Sequence, residues 1–430
     1  MMSYTIDTVD MAYTPPPKPS IPFYTSRRIG CETPASDDVA AASPDPPPPR
    51  APAPPRQPPA LNEDLLEDIL LRVASPADLV RATATCRSLR RIITNPSFHR
   101  RYRSLYPPLL LGILCDGIQP AAAPHPNAPA ARSLANAAGF SFECYLPGDR
   151  WQRCDVRDGR LLLERLLVDD DSVFFPELAV CDPVYRRFRL LPPIPEELIA
   201  YAQVQDNKTR FFEAFLVPSG QEGTSFKVIG RTHCNDELVV FIFSSDSNLW
   251  SLGTSTSWAD LGLSAAPPNF VLGWPQYEHG CFYWKVNWRN KLLKLDMDRM
   301  EFSTVDLPPG NNGREVVIVE PGEGRLGMFS LTRDGTDVHY FTSMKSKGEE
   351  AKEWLVENTI PLPCNCNIVG AFEGYIFFLS VETHQGRVEA VCYSLEIKTL
   401  KIERVNSMNY LYVHIHAYFG YPPFMSPRKI

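Results

Sequence analysis

Residues 60–106 read ALNEDLLEDILLRVASPADLVRATATCRSLRRIITNPSFHRRYRSLY, and the rest of the chain is arranged around them. Leu65, Leu66, Ile69, Leu70 and Val73 recur at intervals of one, three and four, the period of an amphipathic helix. Ser75-Pro76 predicts a second helix start, because proline lacks an amide donor that the first helical turn leaves unpaired anyway. That helix is expected from Pro76 to about Cys86. Asn95-Pro96 repeats the device and predicts a further helix through Phe98, Tyr102 and Leu105, with one or two turns between at Arg87 to Ile93. A bundle this short buries little apolar area. Some of its leucines are therefore expected to need covering, either by a second protein or by the downstream part of the same chain.

The segment resembles an F-box, the module that docks on the Skp adaptor of cullin–RING ubiquitin ligases. The residues that carry the resemblance are Leu61, Glu63, Asp64, Leu65 and Leu66, then Ile69-Leu70, Leu79, Cys86, the basic run Arg87 to Arg91, and the exit Asn95-Pro96-Ser97-Phe98. Asn62 stands where the family usually has proline, Ala74-Ser75 replaces a common Leu-Pro, and Leu89 replaces a frequent tryptophan. A buried aromatic anchor contributes about 2 kcal/mol or more to an interface, so leucine at 89 implies a weaker adaptor contact. The resemblance implies an adaptor-facing set of Leu61, Leu65, Leu66, Ile69, Leu70, Leu79, Cys86 and Leu89. Spacing leaves open which of these face the adaptor and which pack internally.

Upstream, residues 1–59 contain sixteen prolines and are read as a disordered tail, since such composition cannot bury enough surface to offset ordering entropy. Downstream, residues 107–139 read as a linker with a first strand at Leu109 to Cys115, the alanine- and proline-rich stretch 120–138 being a loop. From Phe140 the period changes. Short runs rich in Val, Ile, Phe and Tyr begin at Arg160, Leu178, Phe211, Leu238 and Tyr375, each bounded by turn residues, and predict all-β structure over 140–415 with a tail at 416–430.

A weak repeat narrows the architecture. Residues 181–193, 294–309 and 393–405 each read as strand, polar turn, strand; with the further Leu362-Pro363 that follows Trp354, units from 294 onward lie roughly 45 to 60 residues apart, the length of a four-stranded propeller blade. Gly280 and Gly374 each precede an aromatic strand, where glycine permits a tight bend. Phrases such as CDPVYRRFRLLPP, GCFYWKV and LDMDRMEF resemble the F-box-associated β-propeller domain of plant F-box proteins. The fold class expected is thus a multidomain chain: a disordered Pro-rich tail, a small all-α F-box bundle and an all-β propeller-like domain.

The formal charge of −7 argues against a partner nucleic acid held by a broad basic surface. Apolar runs fall far short of the roughly 20 residues that span a bilayer, so no membrane partner is expected. Eleven cysteines without regular spacing, and no apolar leader, fit a reducing compartment, cytoplasm or nucleus. Cys364/Cys366 and His414/His416 lack zinc spacing, Asp169 to Asp171 lack the remainder of a calcium loop, and Gly310 to Gly313 and Gly322 to Gly324 lack a phosphate loop's lysine. No Gly-x-Ser-x-Gly elbow occurs, so neither catalytic residues nor a metal or cofactor is expected. Trp274, Tyr277, Trp284 and Trp288 are candidates for recognition or for packing between blades. The function implied is the substrate-recognition subunit of an Skp–cullin–F-box ligase, with an unidentified client on the β domain. The alternative is a propeller scaffold, or a carbohydrate-active propeller, outside ubiquitination.

Overall fold

The computed structural model describes residues 62–115, 117–138, 151–165, 175–201, 209–218, 224–234, 237–263, 272–321, 325–343, 354–384, 387–408 and 415–421. The Pro-rich segment 1–59, Leu61, Asp169 to Asp171, Gly322 to Gly324 and His414 lie outside these residues.

Four short helices come first: α1 (Glu63–Leu71), α2 (Pro76–Thr85), α3 (Arg87–Ile93) and α4 (Pro96–Leu105). Each begins on a side chain that accepts an otherwise unpaired backbone amide: Asn62 from Asp64, Ser75 from Asp78, Cys86 from Leu89 and Asn95 from Ser97. Pro76 and Pro96 occupy the first helical turn, where a missing donor does no harm. Cys86 is extended (φ −152°), so it separates α2 from α3 instead of ending a longer helix.

The chain then enters β1 (Leu109–Leu114) and β2 (Ile118–Pro120), followed by α5 (Ala128–Ala138). This helix replaces the loop expected over 120–138. Its second half is alanine-rich, and alanine has the strongest intrinsic helix preference.

Among the described residues, four-stranded antiparallel sheets follow in sequence, each a meander. The first holds β3 (Trp151–Arg157), β4 (Arg160–Arg165), β5 (Leu178–Asp182) and β6 (Arg187–Leu190), after which α6 (Glu196–Tyr201) leads on. The second holds β7 (Thr209–Val217), β8 (Lys227–Cys234), β9 (Glu237–Ser244) and β10 (Leu249–Ser257). The third holds β11 (Gln276–Glu278), β12 (Cys281–Val286), β13 (Lys291–Asp296) and β14 (Glu301–Asp306). The fourth holds β15 (Val316–Val319), β16 (Gly327–Leu331), β17 (Asp337–Ser343) and β18 (Trp354–Pro361). The fifth holds β19 (Asn367–Phe372), β20 (Tyr375–His384), β21 (Arg387–Glu396) and β22 (Lys401–Met408).

The sixth sheet is a composite. The last strand, β23 (His416–Gly420), pairs antiparallel with β1, giving the order β2-β1-β23. Residues 416–420, expected to start a tail, are instead the innermost strand of the sheet that closes the ring. First strands meet one another around the centre, β23 against β3, β3 against β7, and β11, β15 and β19 in mutual contact. The result is a six-bladed β-propeller whose ends are joined by pairing the two extremities of the domain, an arrangement that leaves only short, protected sheet edges.

Local chemistry explains the repeat. In the hairpins joining third to fourth strands, Arg186, Asn248, Met300 and Leu400 all take left-handed backbone, with φ between 53° and 58°. Asp182 and Asp296 hold two of these turns, each carboxylate accepting backbone amides two and three residues on. The hairpins joining first to second strands are two-residue turns with both φ positive: Asp158-Gly159, His279-Gly280 and Glu373-Gly374. Such turns match the twist of the flanking strands, and glycine adopts the second position without steric penalty. Between blades the packing is aromatic, as where Phe215 of β7 lies 6.1 Å from Trp284 of β12.

Candidate functional site

The helical module has a small core of its own. Leu70, Leu71, Leu79, Ile92, Ile93, Phe98 and Tyr102 are buried together. The Tyr102 hydroxyl donates to the Ala74 carbonyl at 2.8 Å, and that of Tyr106 to Leu71 at 3.0 Å, so α4 clamps the connection between α1 and α2. Arg101 of α4 reaches Glu67 at 2.7 Å and Asp68 at 3.1 Å, and Arg91 of α3 pairs with Glu63.

What this core leaves uncovered is specific. Leu65 and Ile69, one helical turn apart on α1, are 54% and 51% exposed. Val80 on α2 and Leu105 on α4 are exposed as well. The set carried over from the sequence therefore divides. Leu65, Ile69 and Cys86 face solvent, while Leu66 and Leu89 are half-buried against the bundle. Leu70 and Leu79 are interior to the bundle core and serve the module's own stability instead of an outward face. Val80 was not in that set, although its position beside buried Leu79 on a two-sided helix is the signal that it points elsewhere.

The residue that follows β23 joins this module to the ring. Tyr421, which directly follows β23, packs its ring on the bundle core and donates its hydroxyl to the Tyr106 carbonyl at 2.9 Å. The exposed Leu65 and Ile69 of α1 are thus carried on a body joined to the propeller, and they are not covered by it.

An F-box-like family model matches residues 63–104, the four helices just described. A second model, described as F-box protein AT5G49610-like, beta-propeller, matches residues 153–374, over half of the chain. The chain belongs to this F-box β-propeller family. No curated protein matches it. Among solved structures it is similar to the WD40 domain of SCAP from fission yeast, with 11% identity over 61% of this chain and 62% of that one, TM-score 0.32. It is also similar to TolB from Acinetobacter baumannii (8% identity, 61% and 56% covered, TM-score 0.32) and to the fucose-specific lectin from Aleuria aurantia (11%, 59% and 76%, TM-score 0.32). This chain spans less than two thirds of the length of the SCAP domain and of TolB.

In the F-box protein's propeller the four singled-out aromatics separate. Trp284 is fully buried, and half-buried Tyr277 packs its ring 4.8 Å from Phe282. Trp274 and Trp288 stay exposed, at 47% and 78%. Both line a depression with Lys285, Arg314, Glu315 and Ile368, which continues past Trp274 to His416 and Asp155 in the central channel. Lys285 and Arg314 were not picked out from the sequence, because only folding brings their two blades together.

Among the described residues no group of histidines, cysteines and carboxylates is arranged to hold a metal ion. The Cys364 and Cys366 sulfurs lie 3.8 Å apart, and Cys366 packs in the core with a thiol that burial pushes up to about 12. Gly310 and Gly313 occupy turns with positive φ. No described helix is long and apolar enough to cross a membrane.

Proposed function

We propose that this F-box protein is the substrate-recognition subunit of an Skp–cullin–F-box ubiquitin ligase, docking on the Skp adaptor through its helical module and holding a client on its propeller. One observation carries the reading: Leu65 and Ile69 remain exposed beside a helical core that is otherwise closed. A leucine and an isoleucine one turn apart on a helix suit insertion into a partner's groove. Half-buried Leu89 and exposed Val80 extend the apolar material available.

The receptor contributes no catalytic group in this scheme. It acts by position, raising the effective concentration of a client lysine near a ubiquitin-charged enzyme bound elsewhere in the assembly. The Tyr421 contact between module and ring supports that task, since a shorter-ranged connection concentrates the client within a narrower range of distances.

The test is retention of the full chain on an immobilised Skp adaptor. The wild-type chain is expected to bind, and the pair Leu65→Asp, Ile69→Asp to lose about tenfold or more in affinity with helix content unchanged. Failure of the wild-type chain to bind, or indifference to the paired change, removes the ligase reading.

A further inference from the structure

The ring has two ends, and they differ in chemistry. Each blade is an antiparallel meander, so all innermost strands run the same way through the centre. At their trailing end Gly420 leads into Tyr421, which is bonded to the F-box module. At their leading end lie Trp274, just before β11, Arg314 and Glu315, just before β15, Ile368 near the start of β19, and His416, the first residue of β23. The depression described above therefore opens on the side of the ring away from the F-box helices.

Its two cations keep donors unused, while several of its acceptors are engaged. Arg314 forms no ion pair among the described residues, and its Nε is buried without a partner. Lys285, itself buried, donates to the carbonyls of Val286 (2.8 Å) and Arg289, which leaves one of three ammonium protons uncommitted and no carboxylate beside it. The Glu315 carboxylate accepts from the Ile368 amide at 2.6 Å. Gln276 uses its oxygen on the Ile318 amide and its nitrogen on the Val316 carbonyl. Asp155, deeper in, accepts from the amides of Val156 and Leu216 and from Arg157. Around Trp288 the depression therefore sets two cations, Lys285 and Arg314, against the single carboxylate of Glu315. Burial also pulls the Lys285 ammonium down to about 8, a penalty that a neighbouring anion would relieve.

Two exposed tryptophans frame the same place. Trp288 sits in the turn between β12 and β13 with positive φ, its ring against Gly313 of the next blade, where even a methyl group would touch it at 3.5 Å. Trp274 lies edge-on to His416, ring centroids 6.4 Å apart. Rigid aromatics beside unpaired cations are the composition of interface hot spots.

We propose that this mouth binds an extended client segment in which an anionic side chain lies next to an apolar one, the anion taken by Arg314 and Lys285 and the apolar neighbour by Trp274 and Trp288. A carboxylate and a phosphorylated side chain share this chemistry. The inference rests on the receptor reading for its biological sense, but its binding chemistry is tested separately.

The probes are fluorescein-labelled dodecapeptide pools with a central Leu-Xaa-Phe, Xaa being Glu, phosphoserine, Gln or Lys, titrated against the full chain and followed by anisotropy. Expected is binding of the Glu or phosphoserine pool about tenfold or more tighter than the Gln and Lys pools, weakening as salt rises. Arg314→Glu and, independently, Trp288→Ala are expected to abolish that preference while adaptor retention stays intact. Trp288 is exposed, so its loss leaves the fold unchanged, and circular dichroism checks this. Binding by none of the pools, equal binding by all four, insensitivity to both substitutions, or displacement of the probe by a neutral oligosaccharide at equal concentration each overturns the proposal. Loss of adaptor retention in the wild-type chain strikes the receptor reading alone.

Discussion

Glu278 closes β11 at the trailing end of the ring, and its carboxyl sits high, at about 7, because burial and then Glu320 and Glu373 disfavour its charge against the opposing pull of Arg157. A carboxyl whose proton is held more tightly in the folded than in the unfolded chain favours folding at low pH. Its contribution is complete below the ordinary carboxylate value of 4.5 and is lost as pH rises through about 7. Thermal melts between pH 5 and 8 are expected to show stability falling with pH, and Glu278→Gln to flatten that slope and melt higher at pH 8. A second buried charge tests packing. The Arg231 guanidinium, drawn down to about 9 by complete burial, lies 4.8 Å over Trp284 and pairs with Glu213. Taking one partner from such a pair leaves a charge in apolar surroundings, so Glu213→Gln is expected to lower stability by about 3 kcal/mol in urea titrations. A loss under about 1 kcal/mol would mean that the aromatic faces alone carry the guanidinium.

Elements respond differently according to what holds them. Phe98 on α4 is wholly buried in the F-box core, and Phe98→Ala is expected to cost about 3 to 5 kcal/mol, seen as lost helical signal and proteolysis within 62–105. Truncation of exposed Leu65 should leave the same signal untouched, which separates core from contact surface. Helix starts at Ser75-Pro76 and Asn95-Pro96 were legible because a cap acts within three residues of itself. The same locality made the strand-turn-strand repeat readable, since Asp182 and Asp296 bond amides two and three positions away. Legibility stops where a partner is distant. Nothing around Leu70 or Leu79 distinguishes them from Leu65, because packing among the helices decides which leucines are covered. Ala128–Ala138 was hidden by the prolines around it, and the meeting of Lys285 with Arg314 by their separation in different blades.

At the scale of the molecule, one short strand does two jobs. β23 pairs with β1 from Leu109↔Gly420 to Leu114↔His416, closing a ring whose two halves of the last blade come from opposite extremities of the domain. The residue after it, Tyr421, joins the ring to the F-box bundle. A chain ending at Met408 would expose the buried β1 residues Leu110, Leu111, Ile113 and Leu114 along an unpaired edge, a template for pairing with other chains. It is expected to aggregate, or to melt at lower temperature with loss of cooperativity, as read by scattering and calorimetry. Tyr421→Phe keeps the strand and the ring packing but deletes one hydroxyl bond, so it should shift stability by only about 1 kcal/mol. The two variants together separate closure from fastening. If the truncated chain melted like the full one, the composite blade would be an ornament on a five-bladed ring; if Tyr421→Phe failed as badly as truncation, the F-box contact would be what keeps the ring shut.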